Sequence, residues 1–344
     1  MVIIKELHLV CQDIKRTKAV TYKGFYRGDD TFYYRLLSLL EKKFSIKIND
    51  IRRIRKNVFL IKSNDFWFIL KGYSSYRKLK VQETFTKALE QEGFIQTYQF
   101  YVHDEPIIID NMIYGCIQYL YPNRTAFTYK NEKHRKEALL LLTHFYSVTE
   151  HLVNIYQYIL PPFRIMDKWQ MRKDQFLRNK ELIEKYIDPF IVKEIVSFAE
   201  QSLNNGQNSS EFFQSKPKVV LHGDVAHHNF LRDVNGQLFL IDFDLISIGP
   251  AVIDYLQYAN RILPHMDWSF EELERMPIFS ELLQEETFLS YLLFPTDILR
   301  EWNRFFRQWD GRNPESLQQV IHLTLDQYKK RKKFYDKVKR LIKE

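Results

Sequence analysis

Cysteine is nearly absent from this sequence: 344 residues contain two, Cys11 and Cys116, and neither lies near another Cys. Two distant cysteines in a chain of this length argue against a disulfide scaffold and indicate a reducing compartment. Long apolar runs are lacking as well, since no stretch approaches the roughly 18 residues of a membrane-spanning helix. Charged residues interrupt the apolar N-terminus, which excludes a typical signal peptide, so the expected location is the cytoplasm.

Motifs for binding nucleic acid are also missing. The sequence has no zinc finger, no RNP-type strand and no glycine-arginine tract, so we expect no nucleic-acid partner. The formal net charge is +8, a modest excess that suits a phosphorylated ligand, an acidic partner or an anionic surface. The hydrophobic fraction of 45% is that of an ordinary globular protein, and the length suits two domains.

The first part of the chain has a strand-rich pattern. Apolar residues at helical spacing predict helices over 31–44 and 79–92. Short apolar runs rich in β-branched and aromatic residues predict strands at 51–55, 57–63 and 66–73, and a pair of strands within 107–121. Residues 1–30 are expected to form short strands or an extension. We assign residues 1–120 to the first domain.

From Pro122 onward the pattern becomes mostly helical, and we assign residues 121–344 to a second domain. Helices are predicted over about 131–153 and 167–204 and again after Pro250, with a polar loop at 204–213. Two short apolar runs, 219–224 and 237–244, lie on either side of a turn at 233–236 and predict an embedded hairpin. A strand-rich domain followed by a helical domain is an α+β arrangement.

The strongest functional signal is the segment HGDVAHHN, residues 222–229, which follows a predicted strand. Phosphoryl transfer needs a carboxylate that orients an acceptor hydroxyl and oxygen ligands for the magnesium that bridges the phosphates. Asp224 and Asn229 lie five positions apart on one tight loop and can supply both. The next predicted strand ends at Asp242, and the hairpin between them is expected to fold Asp242 back beside Asn229.

This combination of HGDxxxxN with a strand ending in IDFD resembles the aminoglycoside phosphotransferase and choline kinase branch of the protein-kinase-like superfamily. The resemblance implies a two-lobed fold with a small antiparallel-sheet N-lobe and a larger, mostly helical C-lobe. It implies that Asp224 is the catalytic base, that His222 braces the catalytic loop, and that Asn229 and Asp242 bind Mg²⁺. A following segment, residues 249–256, matches the family too, and there Asp254 is expected to tie down the loop.

The first domain offers candidates for ATP binding. Lys71, near the end of a predicted strand, is expected to reach the α- and β-phosphates, positioned by Glu83 on the following helix; the alternative is a surface lysine. By position, the backbone of residues Gln118, Tyr119 and Leu120 is expected to contact an adenine ring. The first hairpin turns at Lys56-Asn57 without glycine, so the usual glycine-rich phosphate cradle is missing.

A narrower resemblance links residues 46–300 to the CotS-type group of bacterial spore coat proteins, including its YutH-like members. The motifs that carry it are NVFLIKSNDFWFILKGY at 57–73, RTAF at 124–127, HRKEA at 134–138 and LTHF at 142–145. This resemblance implies synthesis in the mother-cell cytoplasm and assembly into the spore coat, with other coat proteins as partners.

Three functions are therefore open. The first is an ATP- and Mg²⁺-dependent phosphotransferase acting on a hydroxyl acceptor, whose pocket is expected between the helices of 131–204 and 251–300. The second is a structural coat component with little turnover, and the third is a metabolic kinase for choline, homoserine or a sugar. The basic C-terminal segment predicts a final helix packed by Phe334, Val338 and Leu341, with an anionic partner as the alternative.

Overall fold

The computed structural model describes residues 30–64, 66–102, 106–207, 210–214, 216–309 and 314–342. The extension expected for residues 1–30 therefore lies outside the described residues, apart from Asp30. The chain divides into two compact units after Pro122, whereas the boundary expected from the sequence followed Leu120. A search of the described segments finds no helix that is long and apolar enough to cross a membrane.

Over its described residues, the first unit is an antiparallel sheet with two helices. Its helices are α1 Asp30–Phe44 and α2 Tyr76–Gln91, and its strands are β1 Ile48–Arg55, β2 Val58–Ser63, β3 Trp67–Tyr73, β4 Phe100–Tyr101, β5 Ile107–Ile109 and β6 Met112–Gln118. The strands lie in the order β1-β2-β3-β6-β4, and β5 also pairs with β6.

Local sequence explains the turns and caps of this unit. The β1–β2 hairpin turns at Lys56-Asn57, as predicted, and Asn57 adopts a positive φ of 60°, a conformation that asparagine tolerates better than most residues. Helix α2 begins at Tyr76, before the predicted start, because the Ser75 side chain accepts a hydrogen bond from Lys78 N at 3.3 Å and caps the helix. The expected strands of the first domain are confirmed.

Apolar side chains join α1 to the sheet. Leu36 and Leu40 of α1 are fully buried and belong to one hydrophobic cluster with Ile61 of β2 and Leu70 of β3. Each fully buried aliphatic side chain contributes on the order of 2 kcal/mol relative to exposure, so this cluster stabilises the packing of α1 on the sheet.

The second unit is mostly helical. Its helices are α3 Glu132–Tyr156, α4 Ile165–Arg178, α5 Lys180–Ile183, α6 Pro189–Gln207, α7 Ser210–Gln214, α8 Val252–Ile262, α9 Phe270–Glu274, α10 Phe279–Leu282, α11 Glu286–Leu292, α12 Thr296–Gln308, α13 Pro314–Leu325 and α14 Tyr328–Leu341. Its strands are β7 Lys218–Leu221, β8 Phe230–Arg232, β9 Leu238–Leu240 and β10 Ser247–Pro250. Strand β7 pairs with β10 and β8 with β9, both antiparallel.

The single helix predicted over 167–204 is wrong. Helix α4 ends at Arg178, where the Asn179 side chain donates to Gln175 O at 2.9 Å and the backbone leaves the helical conformation. A new helix, α6, begins at Pro189, because proline has no N–H to donate and is tolerated in the first turn of a helix but not in its interior.

The polar loop predicted at 204–213 is also wrong. Helix α6 continues to Gln207, and Ser210–Gln214 form the short helix α7. Phe198 and Leu203 of α6 are buried, so packing on the core holds the helix through a stretch whose polar residues favour a loop.

The basic C-terminal segment is a packed helix. In α14, Phe334 and Val338 are buried as predicted, together with Tyr335, whereas Leu341 is 37% exposed and does not belong to the packed face. The expectation is therefore confirmed for two of the three side chains named for it.

Candidate active site

The predicted catalytic segment, residues 222–229, connects β7 to β8. It turns at Gly223, whose φ is 77°. A Cβ at this position would lie 2.3 Å from the carbonyl oxygen of Leu245, so a side chain is excluded by contact as well as by backbone conformation. The glycine of the HGD motif is therefore required by the close approach of two backbone segments.

Asp254 ties this segment down, as the sequence predicted. Its Oδ2 atom accepts hydrogen bonds from the backbone amides of His222 at 2.8 Å and Gly223 at 3.0 Å, and from the Tyr146 hydroxyl at 2.9 Å. The carboxyl group is fully buried, and burial raises its pKa although these donors act in the opposite direction. Asp254 thus fixes two consecutive amides of the segment to the first turn of α8.

His222 braces the loop from inside. It is completely buried, and its Nδ1 accepts from Asp224 N at 3.3 Å, so Nε2 carries the proton that is donated to Ile241 O at 3.0 Å. Burial lowers the pKa of the imidazole, which favours this neutral form. His222 therefore positions Asp224 relative to the strand end that precedes Asp242 and does not face a substrate.

Hydrogen bonds join Asp224, Asn229 and the strand end that precedes Asp242. The Asn229 side-chain amide donates to Asp224 O at 2.8 Å, and Ile241 N donates to Asn229 O at 2.9 Å. Asp242 follows directly and has a left-handed backbone with φ of 74°. Backbone pairing therefore places the strand end before Asp242 beside Asn229, and the expected metal site of Asn229 and Asp242 stays a prediction.

The donor atoms of this pair suit magnesium. Because the Asn229 amide nitrogen is used in the bond to Asp224 O, its amide oxygen is the atom left for a cation. Asp242 adds a carboxylate, and Mg²⁺ prefers such hard oxygen ligands. The residues present therefore fit this ion.

Arg261 is a site residue that the sequence analysis missed. Its Nη2 atom lies 2.5 Å from Asp224 Oδ1. The signal was available: Arg261 follows Asp254 by seven residues on α8, and such a separation places both side chains on one face of a helix. Among the hydrogen bonds of the described residues none involves Asp224 Oδ2.

A second missed residue is Tyr129. It is buried, and its hydroxyl donates to Val225 O at 2.7 Å, which adds a support to the segment next to Asp224. Burial raises its pKa well above the ordinary value, so it stays a donor. No motif marked this position, because the contact joins residues that are distant along the chain.

In the first unit, Lys71 is buried in β3, so the alternative of a surface lysine is wrong. Across the sheet it pairs with Val58 of β2 and Gly115 of β6. Glu83 of α2 is also buried and forms an ion pair with Lys80, Nζ to Oε2 at 2.6 Å. The expected pairing of Lys71 with Glu83 stays a prediction.

Residues Gln118, Tyr119 and Leu120 are half-buried at the end of β6. Gln118 N donates to Gln99 O at 2.8 Å, and the Tyr119 ring lies 5.5 Å from the ring of Trp67. Their contact with an adenine ring stays a prediction.

A cavity of about 640 Å³ opens beside Asp224 within the second unit. Its walls come mainly from α4, α8 and α12, and Tyr129 and Trp169 supply aromatic surface. Helices α4 and α8 lie in the ranges expected to line an acceptor pocket, whereas α12 begins only at the end of the second range. The volume is that of a site for a small molecule.

Comparisons with known proteins agree with this architecture. Residues 149–276 match the model of the phosphotransferase enzyme family. No curated protein sequence matches the chain. The structure is similar to an aminoglycoside phosphotransferase from Alicyclobacillus acidocaldarius, with a TM-score of 0.67 and 14% identity over 96% of this chain and 99% of that one.

Two further solved structures are similar. One is a spectinomycin phosphotransferase in complex with ADP and spectinomycin, with a TM-score of 0.56 and 14% identity over 90% of this chain and 97% of that one. The other is an aminoglycoside 2''-phosphotransferase in complex with GDP and kanamycin, with a TM-score of 0.59 and 12% identity over 87% and 99%. The chain therefore has the protein-kinase-like fold of the aminoglycoside phosphotransferases, and its matched segment includes Asp224, Asn229, Asp242 and Asp254.

Proposed function

We propose that this protein is a phosphotransferase that moves the γ-phosphoryl group of ATP to a hydroxyl group of an acceptor, with Mg²⁺ as cofactor. The observation that carries the proposal is the hydrogen-bonded closure of one loop, in which Asp224, Asn229 and the strand end before Asp242 are joined. A carboxylate beside an oxygen-ligand pair is the arrangement that phosphoryl transfer needs.

In the proposed reaction the acceptor oxygen forms a bond to the γ-phosphorus, and the bond from that phosphorus to the β,γ-bridging oxygen breaks. ADP leaves, and the proton of the hydroxyl passes to the Asp224 carboxylate and then to solvent. Asp224 orients the hydroxyl, and His222 and Asp254 hold the loop that carries it. Asn229 and Asp242 would hold Mg²⁺, which would neutralise charge on the phosphates when bound.

We assign phosphate binding to Lys71, supported by the family resemblance of the sequence and by the position of this side chain, buried on the inner strand β3. We assign to Glu83 the role of positioning this lysine. We assign to the backbone of residues 118–120 the contact with the adenine ring. The ADP and GDP complexes of proteins with the same fold support a nucleotide as the donor.

Asp242→Asn is the test of this proposal. The substitution removes a charge but keeps the shape of a metal ligand, so we expect magnesium-dependent ATP binding to weaken by about tenfold or more, with little change in melting temperature. The measurement is a titration of ATP at several magnesium concentrations. The control is Asp167→Asn, which changes an exposed carboxylate of α4 that is not part of the cavity lining. If ATP binding depends on magnesium in the same way in both variants, the assignment of Asp242 as a metal ligand is wrong.

We also propose association with the spore coat after synthesis in the mother-cell cytoplasm, supported by the resemblance of residues 46–300 to the CotS-type group. A fluorescent fusion in a sporulating bacterium is expected to form a shell around the forespore. Diffuse fluorescence throughout sporulation would contradict this location. A coat location combined with no ATP turnover would favour the structural coat component over the enzyme.

A further inference from the structure

The cavity beside Asp224 has an unusual charge. Its lining contains three acidic side chains, Asp224, Asp297 and Glu301. It also contains a larger set of cationic side chains: Lys168, Arg172, Arg261, Arg300, Arg304 and Arg307. The cations of α4 and α12 are spaced by three or four residues, which places those of each helix on one face.

The three carboxylates are already paired. Asp224 binds Arg261, and Asp297 forms a bidentate pair with Arg331 of α14, outside the cavity lining. Glu301 is shared between Arg300 at 2.9 Å and Arg304 at 3.6 Å. Each carboxylate of the cavity lining is therefore already paired with an arginine.

Several cations have no carboxylate partner. Within the segments that the structure describes, no ion pair to a carboxylate involves Lys168, Arg172 or Arg307. Arg172 instead donates to the Thr296 hydroxyl at 2.7 Å, and Lys168 lies 5.1 Å from the Phe163 ring. These two side chains are half-buried, so water compensates their charge less than at an open surface.

Electrostatics within the cluster point the same way. Burial, and after it the neighbouring charge of Arg172, lower the pKa of Lys168 to about 8. Burial likewise lowers the pKa of Arg172 to about 10, with Arg300, Arg261 and Arg307 contributing. Like charges held together in this way are repulsive, and an anion bound among them removes the repulsion.

We propose that the acceptor of the phosphotransferase is an alcohol that also carries an anionic group, a phosphate or a carboxylate, bound by the cationic cluster of α4 and α12. The proposal rests on the proposed function and names its substrate class. The hydroxyl lies at Asp224 and the anionic group at Arg172 and Arg307, so one small molecule spans the cavity. Arginine suits such a group because its planar fork binds phosphate and carboxylate oxygens in pairs.

The first experiment measures binding without nucleotide. The full-length protein is titrated calorimetrically with glycerol 3-phosphate, glucose 6-phosphate and glycerate, each against its neutral parent, glycerol or glucose. Kanamycin serves as a polycationic probe. We expect at least one anionic probe to bind at least tenfold more tightly than its parent, and its affinity to fall as salt rises. If no anionic probe binds more tightly than its neutral parent, or if kanamycin binds more tightly than every anionic probe, the proposal is overturned.

Variants locate the site. Arg304→Gln combined with Arg307→Gln changes two exposed side chains, so the fold is expected to be kept, and Arg172→Gln changes the half-buried one. Each variant is expected to bind the anionic probe about tenfold more weakly, because a charge-assisted hydrogen bond contributes about that factor to affinity. Arg164→Gln, which removes an exposed charge before α4 outside the cavity lining, is the control and should bind as the native protein does. Equal binding by all variants would overturn the assignment.

Phosphate transfer separates this inference from the proposed function. One outcome is ATP turnover that depends on Asp242 and accepts neutral alcohols as readily as anionic ones. That result would overturn the proposal of an anionic acceptor but would be consistent with a phosphotransferase. Cluster-dependent binding of an anionic probe without ATP turnover would overturn the phosphotransferase, and with it the role of the probe as an acceptor. The inference expects turnover of ATP to be stimulated by the anionic alcohol that binds, and by its neutral parent far less.

Discussion

Asp224→Asn is expected to slow phosphate release from Mg²⁺-ATP by a factor on the order of 10² to 10⁴, which is the usual contribution of a positioned acid or base. The amide keeps the size of the carboxylate but cannot take the proton of an attacking hydroxyl. Nucleotide affinity should change little, since the phosphates and metal are assigned to other residues. Steady-state release of phosphate and a separate ATP titration measure the two quantities.

The substitution also leaves Arg261 without the carboxylate that it contacts, so folding must be checked by melting temperature. Arg261→Gln is the matched variant, because it breaks the same ion pair and keeps the candidate base. We expect it to lose less activity than Asp224→Asn. Equal rates for Asp224→Asn and the native protein, with both folded, would instead favour a scaffold without catalysis.

Turnover in the absence of the native acceptor is expected to be slow. The β1–β2 hairpin turns at Lys56-Asn57, and without glycine there the backbone cannot form the usual cradle for phosphates. A misplacement of about 1 Å can cost on the order of a hundredfold in rate. The comparison of Asp224→Asn with the native protein therefore needs an assay that can measure slow release of phosphate.

The parts of the site that the sequence predicted are close together along the chain. Asn229 and Asp242 lie on either side of one hairpin, so strand pairing alone brings them together, and two short apolar runs around a turn were enough to show it. Asp254 was predicted from a family motif, and its two bonds to backbone amides agree with that role.

The parts that were missed depend on tertiary packing. The cations of α4 and α12 show helical spacing in the sequence, but nothing local indicates that both helices line one cavity. The polar residues 204–207 favour a loop on propensity, and the buried face of α6 outweighs that preference. The interruption at Asn179 was missed because the apolar periodicity continues on both sides of it.

A buried ion pair provides the second large effect. Arg331 of α14 donates to both carboxylate oxygens of Asp297, at 2.8 and 2.7 Å, and its guanidinium lies 4.1 Å from the Trp268 ring. Asp297→Ala leaves this nearly buried arginine without its carboxylate. We expect a loss of about 3–5 kcal/mol in the free energy of unfolding, measured by denaturant titration at neutral pH, because an uncompensated buried charge is costly.

A control separates the ion pair from general packing damage. Asp326→Ala removes a carboxylate that is 63% exposed and contacts His322, so it should change stability by less than about 1 kcal/mol. A loss for Asp297→Ala as small as that for Asp326→Ala would contradict the importance of the pair.

The same pair predicts a pH dependence. Burial alone would raise the pKa of Asp297, but the charge and hydrogen bonds of Arg331 outweigh burial and hold it below the ordinary value of 3.8. The unfolded chain therefore binds a proton at this carboxyl more readily than the folded chain, so the stabilisation is complete above about pH 4 and is lost as the pH falls through the folded-state pKa. The stability difference between the native protein and Asp297→Ala should be constant near neutrality and shrink on acidification below about pH 4. A difference that instead disappears between pH 8 and pH 6 would show that another group, and not Asp297, controls it.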